Sequence, residues 1–90
     1  MERQDEFLLR IFASRLRLLR EQRSLTLTEL SDATGLGVTT LSQYENGERM
    51  PKFIPMAKIA IYFNVSLDWL MGLSDERRAS QNAKNTENEP

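Results

Sequence analysis

The sequence predicts an all-α domain of five short helices. Three observations carry this reading: apolar residues recur at steps of three and four, side-chain caps and helix-ending residues fall between those runs, and two short segments flank a glycine-containing turn. Ninety residues suit one small domain with a compact core.

Taken in order, residues 1–6 are polar and read as a flexible lead-in. Leu8, Phe12, Leu16 and Leu19, with Ile11 beside them, give a first helix over Phe7–Gln22 a buried stripe. Ser24-Leu25 makes the turn into the second helix. Thr26 and Glu29 have capping-box spacing, in which hydroxyl and carboxylate each satisfy a free amide at the helix start. Leu27, Leu30 and Ala33 follow on one side, and Gly35 can take the left-handed conformation that ends the helix. Gly37 then caps a third helix, Val38 to Glu45, with Leu41 and Tyr44 inward and Val38, Thr39, Ser42 and Gln43 outward. The two short helices around this turn have the outline of a helix-turn-helix unit.

Asn46-Gly47 is a turn signal, and Glu48 to Pro51 continue it as a short loop. Pro55 fits the first turn of a fourth helix, whose inward side carries Met56, Ile59, Ala60 and Phe63, with Asn64-Val65 at its close. Ser66 caps a fifth helix containing Leu67, Trp69, Leu70 and Met71, which Gly72 stops. The domain thus spans residues 7–72. Residues 73–90 lack a periodic apolar set and read as a disordered polar tail.

Composition excludes more than it selects. Without cysteine or histidine there is no disulfide, no ordinary zinc site and no usual general base, so the sequence implies no metal and no cofactor. Ser42 and Tyr44 have no partner to activate them, and an enzyme is not expected. No signal-peptide run or membrane-length apolar span occurs, which predicts a cytoplasmic protein without a membrane partner. Twelve basic and thirteen acidic residues sum to −1, far from the balance of a general polyanion binder. Between Arg10 and Arg23, however, five arginines face one acid, Glu21, a local +4. Such a run is either a phosphate-facing patch or the solvated face of an amphipathic helix.

The segment resembles the helix-turn-helix of the lambda-repressor and Cro-like family, also called the xenobiotic-response-element family. The resemblance lies in Thr26, Glu29-Leu30, Gly35, Thr39 to Gln43 and Tyr44-Glu45-Asn46-Gly47. It extends upstream to Arg15-Leu16-Arg17 and Leu19-Arg20, and downstream to Pro51, Met56 to Ala60 and Val65 to Gly72, covering about residues 7 to 72. It implies a compact five-helix lambda-repressor-like DNA-binding domain and a sequence-specific transcriptional regulator, most simply a phage or bacterial repressor that reads an inverted repeat in double-stranded DNA as a homodimer.

By family position, Val38, Thr39, Ser42 and Gln43 approach base edges. Glutamine can bond adenine twice, and valine or a threonine methyl can pack on the thymine methyl, which favours A and T contacts. The resemblance places Arg15, Arg17, Thr26, Thr28, Thr40, Asn46, Arg49 and Lys52 near phosphates. Arg20 is instead the family arginine that pairs with the glutamate at Glu45; breaking such a buried pair costs roughly 3 to 5 kcal/mol. Pairing through the last helix makes Leu67, Leu70 and Met71 dimer candidates, with Trp69 in the core. One departure stands out: many members carry glutamine where this chain has Leu27, which cannot clamp a phosphate, although free amides at the helix start can.

The alternative is a protein-interaction regulator or antitoxin-like subunit on the same fold, with an antirepressor or other regulatory protein as partner. Near-neutral overall charge, Leu27 and the sparse polar equipment of the recognition helix keep it in view.

Overall fold

The computed structural model describes residues 3–78, which form five helices: α1 (Arg3–Gln22), α2 (Leu27–Thr34), α3 (Val38–Glu45), α4 (Phe53–Phe63) and α5 (Leu67–Leu70). The five-helix, all-α expectation is borne out. Among the described residues the extended pairing is a single antiparallel bridge between Val65 and Arg78.

α2 and α5 start, and α2 and α4 stop, where local chemistry directs them. Thr26 and Glu29 complete the capping box: the Glu29 amide donates to Thr26 Oγ1 at 3.0 Å, and the Thr26 amide donates to Glu29 Oε1 at 2.8 Å. At the other end Gly35 closes α2 with φ +78, and its amide donates to the Ser31 carbonyl. That left-handed residue turns the chain sharply enough for α3 to begin three residues later. Asn64 closes α4 in the same conformation, φ 54, and Ser66 caps α5 by accepting from the Trp69 amide at 3.0 Å.

The core fills the space between α1 and the other four helices. Phe12, Leu16 and Leu19 from α1 meet Leu30, Leu41 and Tyr44 from α2 and α3, and Met56, Ile59, Ala60, Phe63, Val65, Trp69 and Leu70 from the second half. The Phe12 ring stands edge-on to Tyr44, with centroids 5.8 Å apart. α3 is thereby seated on α1 and α2, with its outer side left to solvent.

Several expectations are corrected. α1 begins at Arg3 rather than Phe7, so residues 3–6 are helical; Asp5 and Glu6 lie in its first turn, where acids complement the helix dipole. Ala33 is exposed instead of facing inward with Leu30. Residues 73–78 are no free tail. The Ser66 amide donates to the Arg77 carbonyl at 3.0 Å, and the Ser66 hydroxyl donates to the Glu76 carbonyl at 3.0 Å. Arg77 lies over the Trp69 ring at 5.4 Å and bonds Gln22 Oε1 at 2.5 Å. These six residues form a strap that returns across α5 to the end of α1. The remainder of the expected lead-in and tail, residues 1–2 and 79–90, lies outside the described residues.

Candidate nucleic-acid interface

Val38, Thr39, Ser42 and Gln43 occupy one face of α3. At 100° per residue they fall within an arc of about 140°, and Leu41 and Tyr44 lie on the opposite side in the core. Val38 and Thr39 are exposed, and Ser42 and Gln43 are half-buried along the same face. The helix offers one amide, two hydroxyls and two methyl-bearing side chains, and no charge. Such a surface can bond and pack against base edges; it draws nothing in by charge.

What holds the helix at its angle is a buried carboxylate. Glu45 ends α3 with its side chain 2% exposed. Arg20 meets it with two parallel bonds, Nε to Oε2 at 2.6 Å and Nη2 to Oε1 at 3.0 Å, and donates a third bond to the Leu25 carbonyl at 2.8 Å. Its guanidinium is held above the ordinary arginine value, chiefly by the hydrogen bonds with Glu45, against the opposing effect of burial. Fork-on-carboxylate geometry fixes orientation as well as distance, so α1 sets the attitude of α3.

The arginine run from Arg10 to Arg23 is largely committed to the protein itself. Arg10 pairs with Glu6 at 4.0 Å along the helix surface. Arg17 reaches Glu45 and Asn46. Arg23 stacks over Tyr62 and Phe63, with its guanidinium 5.2 and 4.9 Å from their ring centroids.

Arg15 is placed where a phosphate contact is not available to it. Its guanidinium lies 4.7 Å from the Trp69 ring centre, bonds the Trp69 carbonyl and the Ser74 carbonyl, and approaches Asp75 at 3.8 Å. This corrects its assignment among the phosphate-facing groups: its guanidinium is held between the Trp69 ring and the backbone carbonyls of Trp69 and Ser74. Arg15→Ala is expected to lower stability by about 1.5 to 3 kcal/mol, the range for hydrogen bonds to charged groups. Thermal melts beside duplex titrations check this; the salt dependence of binding should not change.

The other expected backbone contacts lie at the start of α2, on α3 and just beyond it. Thr26 and Thr28 flank the start of α2, both exposed, and Thr40 is half-buried on the flank of α3. Asn46, Arg49 and Lys52 lie exposed at and beyond its end. With Glu29 satisfying the Thr26 amide, the amides left without intrahelical partners at the start of α2 are those of Leu27 and Thr28. Leu27 itself packs half-buried against the core.

Of the dimer candidates, Leu70 is withdrawn, because it is 0% exposed and belongs to the core. Leu67 and Met71 are half-buried and pack against that core. Two features are absent from the expectations: the exposed Ile61, which lines one groove with Leu67, and Arg77 over Trp69. Ile61 is an apolar α4 residue outside the Met56, Ile59, Ala60, Phe63 stripe, a departure that helical phase could have identified; Arg77 over Trp69 has no comparable local signal.

The chain matches the helix-turn-helix family HTH_3 over residues 16–70, which is more than half its length, and it belongs to that family. Two relatives of similar identity place it among transcriptional regulators. It is 32% identical over 81 residues to the uncharacterized HTH-type transcriptional regulator YqaE of Bacillus subtilis, covering 89% of this chain and 70% of that one. It is 32% identical over 65 residues to the cryptic phage CTXphi transcriptional repressor RstR of Vibrio cholerae, covering 72% of this chain and 59% of the repressor. Among solved structures, an HTH_3 family transcriptional regulator from Vibrio cholerae superposes with TM-score 0.68 at 29% identity, over 76% of this chain and 38% of that one. The restriction-modification controller protein C.AhdI from Aeromonas hydrophila does so with TM-score 0.64 at 27% identity, over 69% and 94%. The protein is thus a helix-turn-helix transcriptional regulator by family, a DNA-binding class rather than an enzyme class. No helix among the described residues is long and apolar enough to cross a membrane.

Proposed function

We infer that the protein is a sequence-specific repressor that binds a short inverted repeat in duplex DNA as a homodimer. The observation that carries this is the outer face of α3: four side chains able to read base edges, on a helix fixed from beneath by Leu41, Tyr44 and Glu45. Repression is supported by the similarity to RstR, a phage transcriptional repressor. Thr26 and Thr28 at the start of α2, Thr40 on α3, and Asn46, Arg49 and Lys52 at and beyond its end supply donors to phosphates and set the register.

Gln43→Ala should relax discrimination at one or two base pairs by about 1 to 3 kcal/mol, whereas Lys52→Ala should weaken binding nearly equally on every duplex. Titrations against single-base operator variants separate the two. An unchanged preference profile for Gln43→Ala removes that residue from base readout.

A dimer is proposed because one recognition helix reads few bases, while two placed roughly 34 to 36 Å apart read both halves of a palindrome. The groove lined by Ala57, Ile61, Val65 and Leu67 is the pairing surface we favour, since Ile61 projects from it 78% exposed. Ile61→Asp should separate the subunits without loss of helical content and should lower palindrome affinity more than half-site affinity. Sedimentation velocity at several concentrations, with titrations on both duplexes, checks this; unchanged self-association moves the dimer contact elsewhere.

A second reading, control by a regulatory protein such as an antirepressor, is favoured by one patch. Met50, Phe53 and Ile54 are exposed together at the start of α4, beside Arg49 and Lys52. A protein docked there would stand at the edge of the proposed DNA face.

A further inference from the structure

Arg17 is half-exposed, one turn before Arg20 on α1, and it does two things at once. Its Nε donates to Glu45 Oε1 at 3.4 Å, and its Nη2 donates to Asn46 Oδ1 at 3.2 Å. Asn46 caps the C-terminus of α3, and its own backbone amide donates to the Ser42 carbonyl at 3.0 Å, so its main chain is fixed at the end of the recognition helix. Its side chain is the free element. An arginine has donors and no acceptor, so the atom it meets on Asn46 has to be the amide oxygen. The NH2 group of this exposed residue then takes no part in the contact with Arg17 and is left to an outside acceptor. A phosphate oxygen only accepts hydrogen bonds, and an amide presenting NH2 is matched to it; the same amide rotated by half a turn would present its oxygen and repel it.

We propose that Arg17 is a positioning residue for DNA binding: it holds the Asn46 amide with its donor end outward, and Asn46, not Arg17, meets the phosphate. This rests on the DNA-binding function inferred above. Glu45 completes the device, because the carboxylate anchored by Arg20 also holds the Arg17 guanidinium in place. The network therefore connects the attitude of the recognition helix to the orientation of a contact at its end.

The test uses Arg17→Ala, Arg17→Lys, Asn46→Ala and the Arg17→Ala/Asn46→Ala double variant, titrated on a duplex selected by the wild-type protein across a salt series. Arg17→Ala should weaken binding roughly five- to tenfold, the size of one hydrogen bond, and should leave the slope of log affinity against log salt unchanged. In the Asn46→Ala background the same change should have no further effect. Arg17→Lys should not restore binding, because a single ammonium cannot span Glu45 and Asn46 as the planar fork does. A direct phosphate contact predicts otherwise: the slope falls by about 0.9 and the loss persists without Asn46. Either result overturns the proposal, as does full affinity in Arg17→Ala.

A second measurement needs no DNA. The side-chain amide resonances of Asn46 in the free protein should shift and exchange faster in Arg17→Ala while the backbone amides of α3 hold their positions. Unchanged Asn46 side-chain signals overturn the positioning role. Wild-type protein that binds no duplex overturns the DNA-binding function instead, and the hold on Asn46 is then judged by these resonances alone.

Discussion

Arg20→Ala should cost the domain about 3 to 5 kcal/mol, the range for removing one partner of a buried ion pair. The loss comes less from the bonds removed than from the charge left behind. The Glu45 carboxylate, 2% exposed, would keep only Arg17 at 3.4 Å, and the Leu25 carbonyl would lose its donor as well. Small domains hold roughly 5 to 15 kcal/mol in all, so this change should bring the protein close to its unfolding midpoint. Urea denaturation measures it directly. Replacing both partners, as Arg20→Met with Glu45→Leu, should recover much of the stability, since an apolar pair strands no charge. DNA affinity should not recover with it, because the fork that sets the angle of α3 and the carboxylate that holds Arg17 are both gone. A shift below about 1 kcal/mol for Arg20→Ala would mean that the pair contributes little. The folded arginine titrates above its ordinary value; its contribution is complete below that value and declines only as pH rises through the raised one. Stability drawn from the protonation of this residue should therefore be level through the neutral range, where its carboxylate partner is ionised.

Phe12→Ala should cost a similar amount, about 3 to 5 kcal/mol, through a different mechanism. The Phe12 side chain is 0% exposed and fills the seam between α1 and α3, edge-on to Tyr44. Truncation removes its transfer energy and leaves a cavity that two helices tied by Arg20 and Glu45 cannot close. Phe53→Ala supplies the contrast: at 69% exposure its effect should stay within about 0.5 kcal/mol. Denaturant midpoints for the two variants check the pair of expectations. Equal effects would contradict the division into core and surface.

The features legible in the sequence are those encoded locally. The Thr26–Glu29 box, the left-handed Gly35 and Asn64 closures and the Ser66 cap each depend on residues a few positions apart, and each is present. The α4 stripe was readable because eleven residues give three turns in which apolar phase repeats. α5 has four residues, a single turn, and phase cannot separate Leu67 from Leu70 at that length. Arg15 was misplaced for a related reason. Its partners, Trp69 and Ser74, lie 54 and 59 residues away and engage it largely through backbone carbonyls, which every residue type possesses. The strap of residues 73–78 is held in the same way, so its polar composition read as a tail. Charge was the least informative signal: a local +4 looked outward in sequence, yet the structure turns most of those guanidinium groups onto carboxylates, aromatic rings and carbonyls of the same chain.

The central claim is that the outer face of α3 reads a defined duplex sequence. Unbiased selection from random double-stranded DNA at low salt, with folding confirmed by circular dichroism, tests it most directly. The account predicts enrichment of one short inverted repeat with A and T at the positions met by Gln43 and Val38, and an affinity that falls as salt rises. Failure of the folded protein to enrich any sequence would contradict it.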